Sequence, residues 1–258
     1  MIQYEHLLVN IDKGISVITL NRPEKLNCLT IKLWKDIAHA LKEGDENPDV
    51  QVQIITGSGR AFCAGDDISL LMNPEAIKEL LLECIYGLYS TFIYLQKPLI
   101  AAVNGPAYGG GCEMVLLSDL AVASDKATFA QPEARIGAWP MVFAMFGPAL
   151  LGQKVSNEFT LLCEPVSAEK ALSFGLVNRV VPQEKLMQSA FEMAYNVMKS
   201  SPVSLKTIKE TSAMMLGERL YDLWIAELRA LKESSRTKDW QEGSRAFVEK
   251  RPPQYQGR

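Results

Sequence analysis

At 258 residues, with 48% hydrophobic and 22% charged residues, the chain is long enough for one large domain, or for a core with a smaller extension. A net charge of −3 and a pI of about 5.6 argue against a nucleic-acid surface, which needs a basic field. Five cysteines, none spaced C-x-x-C, and only two histidines, His6 and His39, leave little for a disulfide framework, a structural zinc, or a Ser-His or Cys-His nucleophilic site; they favour a reducing, cytoplasmic setting.

The first residues show no basic segment followed by an apolar block, so no targeting segment is expected. Residues 7–11 and 15–20 read as two strands joined by the turn Asp12-Lys13-Gly14. A turn-rich loop follows from Asn21 to Asn27. Thr30 is placed to cap a helix to about Lys42, with Leu33, Ile37, Ala40 and Leu41 on its apolar face. Residues 50–56 alternate and read as a strand. The loop after it, Gly57 to Asp67, starts like a dinucleotide fingerprint. It has Phe62 where the third glycine belongs, and it lacks the Gly-Lys-Ser/Thr ending of a phosphate loop. It is a Gly-rich loop leading into a helix near Asp66.

Residues 76–96 carry helical spacing, with a stripe of Leu80, Leu81, Cys84, Ile85, Leu88 and Tyr89 that reads as core. Residues 99–103 form an apolar run typical of a buried strand. Another short strand spans 119–124, and Pro132 is placed to start a helix. The uncharged run 136–153 contains Pro140, Pro148 and three glycines and reads as a buried helix pair, not a membrane span. A short turn and strand cover 175–181, and helices from about Gln183, Val203, Leu220 and Asp239 complete the chain. The pattern is α/β with a helical last third.

Chemistry concentrates in Asn104-Gly-Pro-Ala-Tyr-Gly-Gly-Gly-Cys-Glu113, between the strand at 99–103 and a helix. Three consecutive glycines are costly unless the backbone itself is needed. At a helix N-terminus their N–H groups are unpaired and suit an anion, or a carbonyl oxygen that becomes anionic during a reaction. Glu113 puts an acid–base group beside them. Taken alone, the stretch is equally compatible with a tight turn and a surface glutamate.

Together with Asn21-Arg22-Pro23 and Asn27, Ala61-Phe62-Cys63-Ala64-Gly65-Asp66-Asp67, Gln131-Pro132-Glu133, the segments 168–175 and 176–178, and the ending Phe247-Val248-Glu249-Lys250-Arg251, the chain resembles the crotonase (enoyl-CoA hydratase/isomerase) family over essentially its whole length. The resemblance implies a crotonase-like spiral of ββα units over residues 1–200. It also implies a helical C-terminal trimerisation region over 201–258, with assembly into a trimer or a dimer of trimers. The substrate it implies is an acyl-CoA thioester, with coenzyme A as part of the substrate and no other cofactor or metal; nucleic acid and membrane are not expected as partners.

By the same resemblance, the backbone N–H groups of Asp66 and Gly110 form an oxyanion hole. Glu113 activates water and Glu133 delivers a proton to C2, which favours a hydratase, because isomerases of the family typically keep only the Glu133 position. Lys25, Leu26, Ala64 and Lys250 match coenzyme A contacts, the last reaching a neighbouring subunit. Bulky Trp139, Met141 and Phe143 replace small residues near the acyl end. An isomerase or another acyl-CoA lyase remains an alternative, and an RNA-binding or non-catalytic relative a weaker one.

Overall fold

The computed structural model describes residues 3–71, 79 and 86–257. Strands β1 (Leu7–Asp12) and β2 (Ile15–Leu20) form an antiparallel hairpin. Strands β3 (Val52–Gly57), β4 (Leu99–Val103), β6 (Leu120–Ser124) and β9 (Arg179–Val181) then add in parallel, giving a six-stranded sheet in the order β1-β2-β3-β4-β6-β9. A second, three-stranded sheet pairs β5 (Ala107–Tyr108) with β7 (Thr128–Ala130) and β8 (Val166–Ser167).

Thr30 caps helix α1 (Ile31–Glu46), its Oγ1 accepting the Leu33 N–H at 3.1 Å. The helix runs a turn beyond the expected Lys42. A side chain at Gly44 would stand 2.3 Å from Gln53 of β3, so the glycine lets helix and sheet touch. Strand β3 matches the expected strand and is covered on both faces. Val52 and Ile54 pack with Ile100, Val122 and Ala190, while Ile55 enters the main core on the other face. The buried Gln53 of β3 is half satisfied, Nε2 donating to Leu41 O at 3.1 Å while Oε1 meets no donor among the described residues.

The short α2 (Ile68–Leu71) follows the second Gly-rich loop, and α3 (Tyr86–Tyr94) carries Leu88 and Tyr89 into the core. The rest of the stripe expected on that helix lies outside the described residues. Helix α4 (Gly110–Leu117) begins at the glycine cluster. Pro132 precedes a 3₁₀ turn, Glu133–Ile136, instead of a full helix, since Gly137 closes it in the left-handed conformation. Helices α5 (Met141–Leu150) and α6 (Gln153–Asn157) follow; Pro148 falls in the last turn of α5.

Helix α7 (Ala168–Ser173) leads to β9, and α8 (Leu186–Val197) covers the sheet through Leu186, Ala190 and Met193. The two helices expected from Val203 and Leu220 are one, α9 (Pro202–Ser234), with no proline inside to break it. Thr237 caps α10 (Lys238–Val248), donor Trp240 N–H to Oγ1 at 3.2 Å. Helix α10 returns onto the 3₁₀ turn of its own chain: a Cβ on Gly243 would meet Ile136 O at 2.3 Å, and Tyr255 Oη donates to Arg135 O at 2.7 Å. No helix among the described residues is long and apolar enough to cross a membrane.

Candidate active site

Two buried asparagines build the floor. Asn27 Nδ2 donates to Ser58 O and Ala61 O, and Asn104 Nδ2 donates to Gly59 O and Ala61 O, so the first loop and the end of β4 both grip the Gly57–Asp67 loop. Leu29 then pairs around Asp66. Its N–H donates to Gly65 O at 2.8 Å, and its carbonyl accepts the Asp67 N–H at 2.9 Å. In that parallel pairing the intervening Asp66 N–H points the other way, and it meets no acceptor among the described residues. On the facing side, Gly110 is the first residue of α4, where an N–H has no partner within the helix. Gly109, at φ 51, turns the chain into that helix. A Cβ on it would stand 2.8 Å from Glu133 Oε1, so a side chain there would enter the site.

The two glutamates are held differently. Glu113, 6% exposed, accepts the Tyr89 hydroxyl on Oε2 and the amides of Val142 and Phe143 on Oε1 at 3.1 and 3.3 Å. Those amides open α5, so a helix N-terminus faces a carboxylate. Burial still dominates and pushes the Glu113 carboxyl up to about 7, with the Asp66 charge adding to the rise and the three donors opposing it. Glu133 is raised well above the usual carboxylate range, first by burial and then by the Glu113 charge. The Gln131 side-chain nitrogen, oriented so that both ends of its amide are satisfied, donates to both Glu133 oxygens at 3.1 Å. Burial thus favours the neutral form of both glutamates, and the Glu113 charge favours it further at Glu133. That difference between them is what one acid and one base at a shared centre require. Asp66 supplies a third carboxylate, pushed up to about 6 mainly by burial and held from Trp34.

These groups meet at one cavity of about 550 Å³. Of the residues singled out in the sequence, Glu113, Glu133, Asp66, Gly110, Lys25, Ala64, Trp139 and Met141 line it. Leu26 does not: it caps the Pro23–Lys25 turn in the left-handed conformation, and its carbonyl accepts the Ala64 N–H. Lys250 is exposed beyond α10, while its neighbour Arg251 lines the cavity, bound to Glu242 and Glu249. Phe143 lies behind the wall, fully buried against Phe159, and faces the site only through its amide. Tyr89 read in the sequence as one more residue of an apolar stripe, Trp34 and Trp240 carried no signal, and Phe247 stood only in the ending that matches the family. The one hydroxyl in the Tyr89 stripe was the available signal.

The sheet order, the paired Gly-rich loops and the two glutamates at one cavity define a crotonase-type site. Comparison with known proteins agrees. Residues 10–258 match the family model "Enoyl-CoA hydratase/isomerase". A probable enoyl-CoA hydratase of Mycobacterium bovis is 34% identical over 253 residues, covering 98% of each chain. A carnitinyl-CoA dehydratase of Salmonella typhi is 36% identical over 247 residues, covering 93% of this chain and 94% of its own. The crystal structure of a carnitinyl-CoA hydratase from Mycobacterium avium superposes with a TM-score of 0.86 at 31% identity, over 99% of this chain and 100% of that one. The chain belongs to the enoyl-CoA hydratase/isomerase, or crotonase, family.

Proposed function

We propose that the protein catalyses the reversible syn-hydration of 2-enoyl-CoA thioesters to 3-hydroxyacyl-CoA. The observation that carries this reading is the placement of Glu113 and Glu133 in one cavity with Asp66 and Gly110, whose amides meet no acceptor among the described residues. The thioester carbonyl sits between the two amides, which polarise it and hold the enolate charge that grows as water adds to C3. Glu113 takes a proton from that water, for which its ionised form is needed. Glu133 gives a proton to C2, for which its protonated form is needed. Because the pair is coupled, the two steps share one proton inventory.

The exposed ammonium of Lys25 suits a coenzyme A phosphate as a point charge. Trp139 and Met141 bound the acyl end. Relatives named for hydratase and for dehydratase reactions of acyl-CoA support a water-moving site over an isomerase. A screen of short, branched and medium 2-enoyl-CoAs tests the reading. Wild-type protein is expected to hydrate at least one, and Glu113→Gln and Glu133→Gln each to lose roughly 10²-fold or more in turnover while remaining folded. Near-wild-type hydration by either variant would remove that glutamate from the mechanism.

A further inference from the structure

Two of the proposed reacting groups, the Asp66 and Gly110 amides, come from segments far apart in the chain. Both must lie within about 3 Å of one oxygen, and nothing covalent sets their separation. One side chain packs against both residues. Trp34, in the first turn of α1, is fully buried, and its Nε1–H donates to Asp66 Oδ1 at 2.6 Å. The six-membered ring of the same indole lies under Gly110: a Cβ there would stand 3.1 Å from Cζ2 and 3.3 Å from Cη2. The indole also meets Tyr89 edge to face, centroids 5.4 Å apart and planes at 81°, and Tyr89 donates to Glu113. We propose that Trp34 is a positioning residue whose single indole sets the spacing between both oxyanion amides and the Glu113 carboxylate. This role rests on the hydratase reading above for its effect on turnover.

A buried aromatic ring is suited to this work, because close packing on several sides leaves it one rotamer. The hydrogen bond to Asp66 adds an electrical consequence that packing alone lacks. Around the Asp66 carboxylate stand Trp34 of α1, Cys63 and Asp67 of its own loop, Tyr89 of α3, Glu113 of α4 and Glu133 of the 3₁₀ turn; Asp67 is paired with Arg22 at 3.2 Å. The indole N–H favours the ionised form of Asp66, and ionised Asp66 raises Glu113. Removing the N–H leaves Asp66 neutral over more of the pH range. Its charge then no longer opposes ionisation of Glu113, so Glu113 ionises at lower pH.

Trp34→Phe keeps an aromatic ring and deletes the donor. The expected result is a kcat lower by roughly 10- to 100-fold with KM changed by less than about threefold, as for a displaced but intact binding site. The acid limb of the pH profile is expected to move to lower pH. It should move the same way in Asp66→Asn, with no further movement in the double variant. An acid limb that superimposes on wild type in folded Trp34→Phe overturns the proposal.

A second measurement needs neither that variant nor turnover. Among the four indole N–H signals of ¹⁵N-labelled wild-type protein, one is expected to titrate with a midpoint near the Asp66 value of about 6, and to stop titrating in Asp66→Asn. A protein that hydrates enoyl thioesters but shows no such signal overturns the role of Trp34. One that shows the signal and hydrates none of the thioesters supports the indole's hold on Asp66 and contradicts the hydratase reading instead.

Discussion

Glu113 sits in surroundings that favour its neutral form, and this has a consequence for stability. Its folded-state value, about 7, lies above the ordinary carboxylate value of 4.5 that the unfolded chain would show. Between those values the unfolded chain releases its proton first, so stability falls as pH rises through the window and is fully retained only below it. Glu113→Gln keeps the shape, removes the ionisation and also relieves Glu133. The variant is expected to be more stable than wild type at pH 8, by an amount on the order of 1–3 kcal/mol, and no more stable at pH 4. Thermal unfolding at the two pH values checks this; a variant destabilised equally at both would show that Glu113 is not held against its charge. Glu113 was legible in the sequence because it follows a backbone signal, Gly109-Gly110-Gly111, whereas Glu133 was legible only through the resemblance carried by Gln131-Pro132-Glu133. Tyr89 was not legible as a site residue. Its ring belongs to the core and only its hydroxyl reaches Glu113, and spacing along a helix cannot separate the two.

Among the elements, those with local punctuation were read well and those shaped by distant neighbours less so. Thr30 marked the start of α1, but its end was placed a turn early, at about Lys42, because the packing of Gly44 on β3 is not visible locally. The alternation in β3 pointed to a strand, but not to the cover that α8 gives one of its faces, which comes from residues more than 130 positions later. Helix α10 shows the same dependence at the site. Trp240, Gly243, Ala246 and Phe247 form one wall of the cavity, and Trp240 meets Trp139 with centroids 6.4 Å apart. That wall closes because Gly243 packs directly on the Ile136 carbonyl, which is backbone and cannot swing aside. Gly243→Ala is therefore expected to push α10 outward, lowering stability by about 1–3 kcal/mol. KM for the enoyl thioester is expected to rise roughly tenfold, the equivalent of about 1.4 kcal/mol of binding. Unfolding curves and steady-state kinetics read both effects. A destabilised variant with unchanged KM would mean that α10 does not bound the substrate.

For the whole molecule, the α/β pattern and the helical last third were visible in the chain, while the sheet order and the closure of α10 over its own site were not. Residues 66, 110, 113 and 133 converge because β3, β4 and β6 lie side by side and the segments that follow them meet at one cavity, which Trp34 and Tyr89 reach from α1 and α3. No periodicity encodes that convergence. The motif resemblance supplied it, through an arrangement already built from similar pieces. The cavity that results, about 550 Å³, is within the range of pockets that enclose a small ligand, and Lys25 is one of its lining residues.

The central claim is that water adds across the double bond at this cavity, with its oxygen going to C3 and a solvent proton to C2. Incubation of a 2-enoyl-CoA with the protein in ¹⁸O-labelled heavy water, followed by mass spectrometry of the thioester, tests it most directly. The expected product is 3-hydroxyacyl-CoA carrying one ¹⁸O at C3 and one deuterium at C2, formed at least roughly 10²-fold more slowly by Glu113→Gln. A product with a displaced double bond and no ¹⁸O, or free coenzyme A with the label in the released acid, would contradict it.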